Sequence, residues 1–272
     1  MKPICNMHTH TTFCDGKHTP EENALAAIAE GLISLGISSH APYGEHDTED
    51  CLSSDNIAAY RNEVRRVQAK YSDRLEVLLG IEQDYFSPEL DEGYDYVIGS
   101  VHYVKKNNSY IPVDYSFDRL KMGIDNYFSA DVTSFCREYY STVADIVNKT
   151  NCDIIGHFDL ISKFNEKYPL FDEEDIVYRD MSLEAADALL ESDRLFEVNT
   201  GAMFKALRSC PYPAPFIVKH IANKKGRFII TSDAHDVRAL TYGFSDTAEY
   251  LKSLGVRETW VFRNGELQAV SL

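Results

Sequence analysis

The chain of 272 residues carries a formal net charge of −16, from 27 lysines and arginines against 43 aspartates and glutamates. This acidic balance argues against nonspecific binding to DNA, RNA or an anionic membrane surface, because phosphate groups repel such a protein. A small phosphate ester stays possible, since bound divalent metals can reverse the local field. Hydrophobic residues make up 44% of the chain. We therefore expect one domain over residues 1–272, the length of an ordinary α/β barrel.

Short β-like runs alternate with longer helical patterns along the chain. In chain order, the predicted elements are strand 3–7, helix 20–35, strand 37–39, helix 55–71, strand 75–80, strand 96–99, helix 127–149, strand 153–155, helix 173–192, strand 195–198, helix 213–223, strand 227–231, helix 247–254 and strand 258–262. Thr19 is the predicted N-cap of the first helix, and Gly36 is its predicted end. The segments 105–114, which is hairpin-like, and 165–175 read as loops. Alternating strands and helices predict a parallel sheet, and seven or eight such units predict a closed or nearly closed barrel.

Histidines and carboxylates follow the predicted strands. In parallel α/β barrels the loops after the strands converge on one face, so residues remote in sequence meet there. Imidazole and carboxylate together suit Zn²⁺, Fe²⁺ or Mn²⁺. The set exceeds what one ion needs, so we expect two or three divalent ions. The candidate metal ligands are His8, His10, Asp15, His40, Glu82, His102, His157, Asp233 and His235.

Spacing strengthens two of these groups. His8 and His10 alternate on a strand and so face one point, and Asp233 and His235 repeat that spacing at a later strand. A chance pair at a solvated strand end is the alternative for either group alone. Glu82 ends an apolar strand, where a carboxylate is costly to desolvate unless it is paired or bound to metal. It is either a salt-bridge partner or, as we favour, a bridge between two cations.

Three further histidines are expected to have ordinary roles. His18 and His46 lie in predicted loops on the active-site side, and His220 lies in a predicted helix. Surface exposure or packing is the favoured interpretation for each of them.

The sequence resembles the polymerase and histidinol phosphatase (PHP) family, whose first motif is similar to the run His8-Thr9-His10-Thr11-Thr12-Phe13-Cys14-Asp15-Gly16. The later motifs are matched in order by Ser39-His40-Ala41-Pro42, Gly80-Ile81-Glu82, Gly99-Ser100-Val101-His102, Ile155-Gly156-His157 and Ser232-Asp233-Ala234-His235. The likeness spans nearly the whole chain. Within the family, the chain is most similar to the monofunctional histidinol-phosphate phosphatases.

The resemblance implies a distorted (β/α)₇ barrel of TIM type with a trinuclear metal centre. Matched motif by motif, it assigns His8, His10, Glu82 and Asp233 to a first ion, Glu82, His102 and His157 to a second, and Asp15, His40 and His235 to a third. Many family members have a histidine at the position of Asp15. A carboxylate there is still a competent ligand, although it alters the preference of the third ion.

The resemblance also implies a phosphomonoesterase that hydrolyses L-histidinol phosphate, a step of histidine biosynthesis, by attack of a metal-activated hydroxide. Glu82 would bridge two ions, and Asp233 or a neighbouring histidine such as His235 would protonate the leaving group. Cationic side chains would neutralise the phosphoryl oxygens, or they are ordinary surface charges. The candidates are Lys163, Lys205 and Arg208, of which arginine is the better bidentate phosphate binder.

Two other functions stay open. One is a phosphoesterase acting on another small phosphorylated metabolite or on a phosphodiester. The charge of −16 disfavours only the phosphodiester. The other is a metal-binding module without catalysis, which the full set of ligands disfavours. The imidazole and ammonium groups of the substrate leave no recognisable motif. Acidic loop residues would receive the ammonium group, or, as we favour for each one alone, they are solvated. The candidates are Asp114, Asp159 and Glu166.

The remaining sequence features concern location. The six cysteines form no C-x-x-C pair, so we expect reduced thiols rather than a disulfide framework. The first residues carry no apolar run of signal-peptide type, and no stretch approaches the roughly 18 apolar residues that a membrane span needs. We expect a cytoplasmic protein whose partner is a small metabolite, without nucleic acid or membrane.

Overall fold

The structure, a computed structural model, describes residues 4–43 and 50–272. Its strands in these ranges are β1 (Cys5–Asn6), β2 (Ser34–Ile37), β3 (Glu76–Asp84), β4 (Tyr96–Ser100), β5 (Tyr103–Lys106), β6 (Ser109–Pro112), β7 (Ile154–Ile155), β8 (Leu195–Asn199), β9 (Arg227–Thr231), β10 (Glu258–Arg263) and β11 (Glu266–Ser271). Its α-helices are α1 (Pro20–Glu30), α2 (Ile57–Tyr71), α3 (Phe117–Phe128), α4 (Val132–Ala144), α5 (Ile146–Thr150), α6 (Ile176–Leu190), α7 (Gly201–Phe204), α8 (Pro215–Asn223) and α9 (Phe244–Ser253). No described helix is both long enough and apolar enough to cross a membrane.

The central sheet has seven strands in the order β1-β2-β3-β4-β7-β8-β9, and every neighbouring pair is parallel. The sheet closes on itself where Thr9 and Ala234 form a parallel bridge between the ends of β1 and β9. At this seam the amide of His10 donates to the carbonyl of Ala234 at 2.9 Å, and the amide of Ala234 donates to His8 at 3.0 Å. The predicted distorted (β/α)₇ barrel is therefore confirmed.

The first helix ends earlier than predicted. Gly31, with a φ of 79°, terminates α1 in the left-handed conformation that favours glycine. Gly36, the predicted end, lies within β2 instead. The Tyr96 hydroxyl crosses that position to donate to the carbonyl of Met7 at 2.5 Å, and a Cβ at Gly36 would collide with it. The prediction at Gly36 is wrong because this glycine does not end a helix; its missing side chain leaves room for the Tyr96 hydroxyl.

The predicted helix 127–149 is also wrong. The chain forms α3, a turn, α4 and α5 over this region. Ser129 and Ala130 adopt positive φ values of 53° and 62° and break the helical path. The Asp131 side chain then accepts the amide of Ser134 and begins α4. Neither break residue is glycine or proline, so the apolar spacing alone gave no sign of the interruption.

A hairpin formed by β10 and β11 covers the amino ends of the barrel strands. The predicted strand 258–262 is confirmed as β10, but β11 was not predicted. The Ser34 hydroxyl at the start of β2 donates to the carbonyl of Phe262 at 2.6 Å, and Glu76 at the start of β3 accepts the amide of Asn264 at 2.7 Å. A buried apolar cluster fills this end. It contains Cys5, Met7, Leu78, Tyr96, Ile98, Ile154, Leu195, Ile229, Val261 and Phe262.

The opposite end of the barrel carries the longer connections. Strands β5 and β6 form an antiparallel hairpin directly after β4, which confirms the hairpin-like character predicted for 105–114. The segment 165–175 contains no helix or strand, as predicted. These connections surround the carboxyl ends of the parallel strands and so frame the place where the candidate ligands follow those strands.

Candidate metal centre

The carboxyl end of the barrel brings the predicted ligands together. Three overlapping groups have one ligand atom from each residue within 4.8 Å of the others. The groups are His8, His10 and Asp233; His40, Glu82 and His102; and His10, Asp15, His40 and His235. His157 lies outside these groups, but its Nε2 is 3.0 Å from Glu82 Oε1. The structure thus gathers the nine candidates into one continuous centre.

Buried nitrogen and oxygen atoms face one another at the first group. The Nε2 of His8 lies 3.1 Å from Glu82 Oε2, and the Nε2 of His10 lies 3.4 Å from the same oxygen and 3.1 Å from Asp233 Oδ1. His8 Nε2, His10 Nε2 and Glu82 Oε2 are buried and have no hydrogen-bond partner among the described residues. Buried polar atoms without partners are costly, and a cation between them would satisfy all three. These residues fit a divalent metal ion.

Glu82 stands between the groups. Its Oε1 lies 3.4 Å from His102 Nε2 and accepts a hydrogen bond from the Ser100 hydroxyl at 2.7 Å. Its Oε2 lies 3.0 Å from His40 Nδ1 and also faces His8. The two oxygens of one carboxylate therefore face different imidazoles, which is the geometry that bridging two ions requires.

Asp15 faces the more exposed side of the centre. Its Oδ2 lies 2.9 Å from His235 Nε2, and its Oδ1 lies 3.4 Å from His10 Nδ1 and 3.9 Å from His40 Nε2. The resemblance assigned His10 to the first ion only and His40 to the third only. In the structure His10 and His40 each belong to two groups, so the three sets are less separate than the motifs imply.

The electrostatics of the centre couple its acids and bases. Burial favours the neutral form of Glu82, but the imidazoles of His8, His40 and His102 outweigh it and hold the pKa of this carboxyl well below its usual range. Burial and the neighbouring imidazoles lower the pKa of His10 to about 3. Glu82 is therefore an anion and His10 a neutral imidazole, which are the forms that bind metal.

Two further carboxylates, Asp84 and Glu197, accept hydrogen bonds from candidate ligands. Asp84 accepts the backbone amide of His102 at 2.8 Å and lies 3.3 Å from its Nδ1. Glu197 accepts from His8 Nδ1 at 2.5 Å. Sequence reasoning assigned neither of them a role. The available signal was the one used for Glu82, an acidic residue near the carboxyl end of a strand that is otherwise apolar.

A cavity of about 210 Å³ opens beside the centre. It is lined by Asp15, His40, Tyr43, Asp50, His102, Tyr103, Pro112, Asp114, Tyr115, His157, Leu160, Lys163, Ala202, Lys205, Tyr212, Asp233 and His235. The Nζ of Lys163 donates to both the backbone carbonyl and Oδ2 of Asp114, at 3.0 Å each. Two of the three predicted phosphate-binding cations, Lys163 and Lys205, are thus placed at the cavity.

Arg208 does not line this cavity. Its guanidinium is buried, donates to the Ser162 carbonyl at 3.3 Å and to the Cys210 carbonyl at 3.5 Å, and lies 4.8 Å from the centroid of the Tyr212 ring. These contacts give Arg208 a packing role between loops. Its predicted contact with phosphate stays a prediction that this placement does not support.

The other acidic residues and histidines discussed from the sequence lie in different parts of the molecule. Asp114 lines the cavity, whereas Asp159 is buried and accepts the Ala214 amide at 2.9 Å. Glu166 accepts the Ser209 amide. His220 pairs with Asp187 on the helical surface at 2.6 Å, and the partly buried His18 lies outside the three groups. His46 lies outside the described residues.

Comparison with known proteins shows which family and which relatives the chain is similar to. Residues 6–201 match the PHP domain family. The curated "Probable histidinol-phosphatase" of Deinococcus radiodurans is 30% identical, over 98% of this chain and 100% of that protein. The "Histidinol-phosphatase" of Lactococcus lactis is 24% identical, over 94% of this chain and 93% of that protein. A crystal structure of the histidinol phosphate phosphatase from Lactococcus lactis, complexed with zinc, L-histidinol and phosphate, aligns with a TM-score of 0.74 and 20% identity over 98% of this chain and 99% of that one.

Proposed function

This chain belongs to the PHP domain family, and on that premise we propose that it hydrolyses L-histidinol phosphate to L-histidinol and phosphate with divalent metal ions. The observation that carries the proposal is a group of buried atoms that have no partner in the described part of the chain, His8 Nε2, His10 Nε2 and Glu82 Oε2. This group adjoins a small cavity lined by two lysines. Such a cavity suits a small phosphorylated metabolite rather than a polymer.

The number and kind of ions are part of the proposal. Two or three ions of Zn²⁺, Fe²⁺ or Mn²⁺ suit the mixture of imidazole and carboxylate. When bound, such ions supply an activated water near neutral pH and neutralise charge on phosphoryl oxygens. The candidate ligands are His8, His10, Asp15, His40, Glu82, His102, His157, Asp233 and His235, and the overlapping groups favour a shared centre over separate sites.

Cationic side chains of the cavity would bind the phosphoryl group. Lys163 donates two hydrogen bonds to Asp114, so its ammonium group is fixed before substrate arrives. Lys205 lines the cavity in the loop after β8. Charge-assisted hydrogen bonds from both lysines would orient the phosphate towards the metal centre.

A proton must reach the oxygen of the departing alcohol. Asp233 and His235 both line the cavity, and His235 Nδ1 lies 2.9 Å from the backbone carbonyl of Asp233. This contact leaves His235 Nε2 directed at Asp15, at 2.9 Å. The imidazoles of His8, His10 and His235 outweigh burial and hold the pKa of the Asp233 carboxyl well below its usual range, so Asp233 has no proton of its own to give. Either Asp233 or His235 would take a proton from the attacking water and deliver it to this oxygen, because a general acid must lie within hydrogen-bond reach.

The organic part of the substrate would occupy the aromatic side of the cavity. Tyr43, Tyr103 and Tyr115 line the cavity, and the ring centroids of Tyr43 and Tyr103 are 5.4 Å apart. Such aromatic side chains would contact an imidazole. Asp114 is an anion on the same wall, since burial is outweighed by Lys163 and the pKa of its carboxyl is lowered. It would receive the ammonium group of histidinol.

The proposal includes a cytoplasmic location. Cys5, Cys14, Cys51, Cys136, Cys152 and Cys210 are all free thiols. Unpaired cysteines of this kind are typical of reducing compartments, where the biosynthesis of an amino acid would also take place.

The test is phosphate release from L-histidinol phosphate by purified protein loaded with Mn²⁺ or Zn²⁺, beside protein treated with EDTA. We expect rapid release that EDTA abolishes and added metal restores. p-Nitrophenyl phosphate and its diester are the comparison substrates. Turnover of p-nitrophenyl phosphate without release from L-histidinol phosphate would contradict the substrate, and metal-independent release would contradict the metal centre.

A further inference from the structure

We propose that Glu197 is a positioning residue that holds His8 and His157 together and thereby sets the metal affinity of the centre. Glu197 lies in β8, is fully buried and does not line the cavity. It therefore acts through other residues rather than on the substrate. The inference rests on the metal site of the proposed function, but not on the identity of the substrate.

Glu197 accepts four hydrogen bonds. Its Oε1 accepts from His8 Nδ1 at 2.5 Å and from the Thr231 hydroxyl at 2.6 Å. Its Oε2 accepts from the His157 amide at 2.6 Å and from Asn199 Nδ2 at 3.0 Å. Only an ionised carboxylate offers acceptors in all four directions, because a protonated acid or an amide must place a donor against one of these donors. The site is thus built for glutamate.

The first consequence concerns the orientation of His8. An acceptor at Nδ1 keeps the proton on that nitrogen and leaves the lone pair on Nε2. The Nε2 atom then faces Glu82 Oε2 at 3.1 Å and Asp233 Oδ1 at 3.7 Å. Glu197 therefore selects the tautomer of His8 that can bind a metal ion in the first group.

The second consequence concerns the backbone that carries His157. Strand β7 pairs with β8 only through Ile154 with Leu195 and Ile155 with Phe196. The pairing stops before His157, and the Glu197 side chain takes over by accepting the His157 amide. One carboxylate thus continues the contact between two strands beyond their ladder and fixes where His157 enters the centre.

The two contacts join residues that the motifs assign to different ions. His8 belongs with the first ion and His157 with the second, whereas Glu197 contacts none of Asp15, His40 and His235. Loss of the carboxylate should therefore weaken binding at the first two positions and spare the third.

The test is Glu197→Gln, which keeps the size of the side chain and removes its charge. We expect the apparent dissociation constant for Zn²⁺ to rise about 10- to 100-fold, as for other residues that support metal ligands. Competition with a chelator gives the affinity, and elemental analysis gives the bound metal, which should fall without reaching zero. Circular dichroism and the unfolding midpoint show whether the variant is folded. Glu166→Gln is the matched control, since Glu166 also accepts a backbone amide but contacts no candidate ligand.

Wild-type Zn²⁺ affinity in folded Glu197→Gln would overturn the inference. If that variant does not fold, Thr231→Val replaces it, because this change removes one donor from Oε1 and loosens the carboxylate. We then expect faster Zn²⁺ release to the chelator, and release at the wild-type rate would overturn the inference instead. If the wild-type protein binds metal but leaves L-histidinol phosphate intact, only the proposed function fails.

Discussion

The two ends of the barrel are built from the same seven strands and have opposite physical character. At the amino end, β10 and β11 cover an apolar cluster, and the edge groups of Ser34 and Glu76 are hydrogen-bonded to the hairpin. At the carboxyl end, imidazoles and carboxylates converge, and buried nitrogen and oxygen atoms have no hydrogen-bond partner within residues 4–43 and 50–272. The amino end gains stability by burial, whereas the carboxyl end accepts costly burial of charge that its imidazole and carboxylate groups offset in part and bound metal would offset further.

Removal of a candidate ligand should have the largest effect, and it acts at the carboxyl end. In His8→Ala we expect turnover to fall by about three orders of magnitude, because one face of the first metal position is lost. The fold should persist, since the amino end is untouched. Phosphate release and circular dichroism measure the two properties.

His220→Ala is the control for this change, because His220 pairs with Asp187 on the helical surface. It should retain wild-type turnover. Full activity in His8→Ala would refute the ligand assignment and, with it, the contrast between the two ends.

The converse change acts at the amino end. Phe262 packs in the apolar cluster, with its ring centroid 5.7 Å from that of Tyr96. Phe262→Ala should lower the free energy of unfolding by about 3 kcal/mol, because a buried aromatic ring is removed and a cavity is left. Urea unfolding measures this loss. At temperatures where the variant is folded, its turnover and bound metal should equal those of the wild type. A fall in the turnover of the folded variant would show that the two ends of the barrel are coupled.

A smaller effect on KM should distinguish the roles of two cationic residues near the carboxyl end, Lys205 and Arg208. Lys205 lines the cavity, so Lys205→Ala should raise KM for L-histidinol phosphate about tenfold through loss of a charged hydrogen bond. Arg208 is buried against Ser162 and Cys210, so Arg208→Ala should lower stability more than it raises KM. Steady-state kinetics and urea unfolding of both variants measure the difference. If Arg208→Ala raises KM more than Lys205→Ala does, the result would support the original prediction that Arg208 contacts the phosphate.

The barrel and the candidate ligands were predictable because their signals are local. His8 and His10 share one short run, and Asp233 and His235 share another, so each pair is readable without knowledge of the rest of the chain. Parallel strands then bring such runs to one end as a matter of geometry. Glu82 followed the same rule, although β3 continues past the predicted end of the strand to Asp84 and so contains Glu82 near its carboxyl end.

The missed features depend on contacts between distant segments. Ser129 and Ala130 break a helix although their types permit one, and Gly36 serves the Tyr96 hydroxyl rather than a helix end. Arg208 was predicted to be available for phosphate, but its guanidinium donates a hydrogen bond to Ser162. Glu197 showed its role only when His8 and His157 were brought beside it. Sequence spacing carries no information about such partners.

The seam between β1 and β9 has a consequence for how the protein is made. Asn6 donates to the Ser232 hydroxyl at 2.8 Å across a separation of 226 positions. A nascent chain on the ribosome therefore carries His8 and His10 long before it has Asp233. Contacts of such long range form late in folding. Completion of the first ion-binding group and closure of the barrel are thus one late event, so a tightly held ion marks a chain in which the segments after β1 and β9 have met.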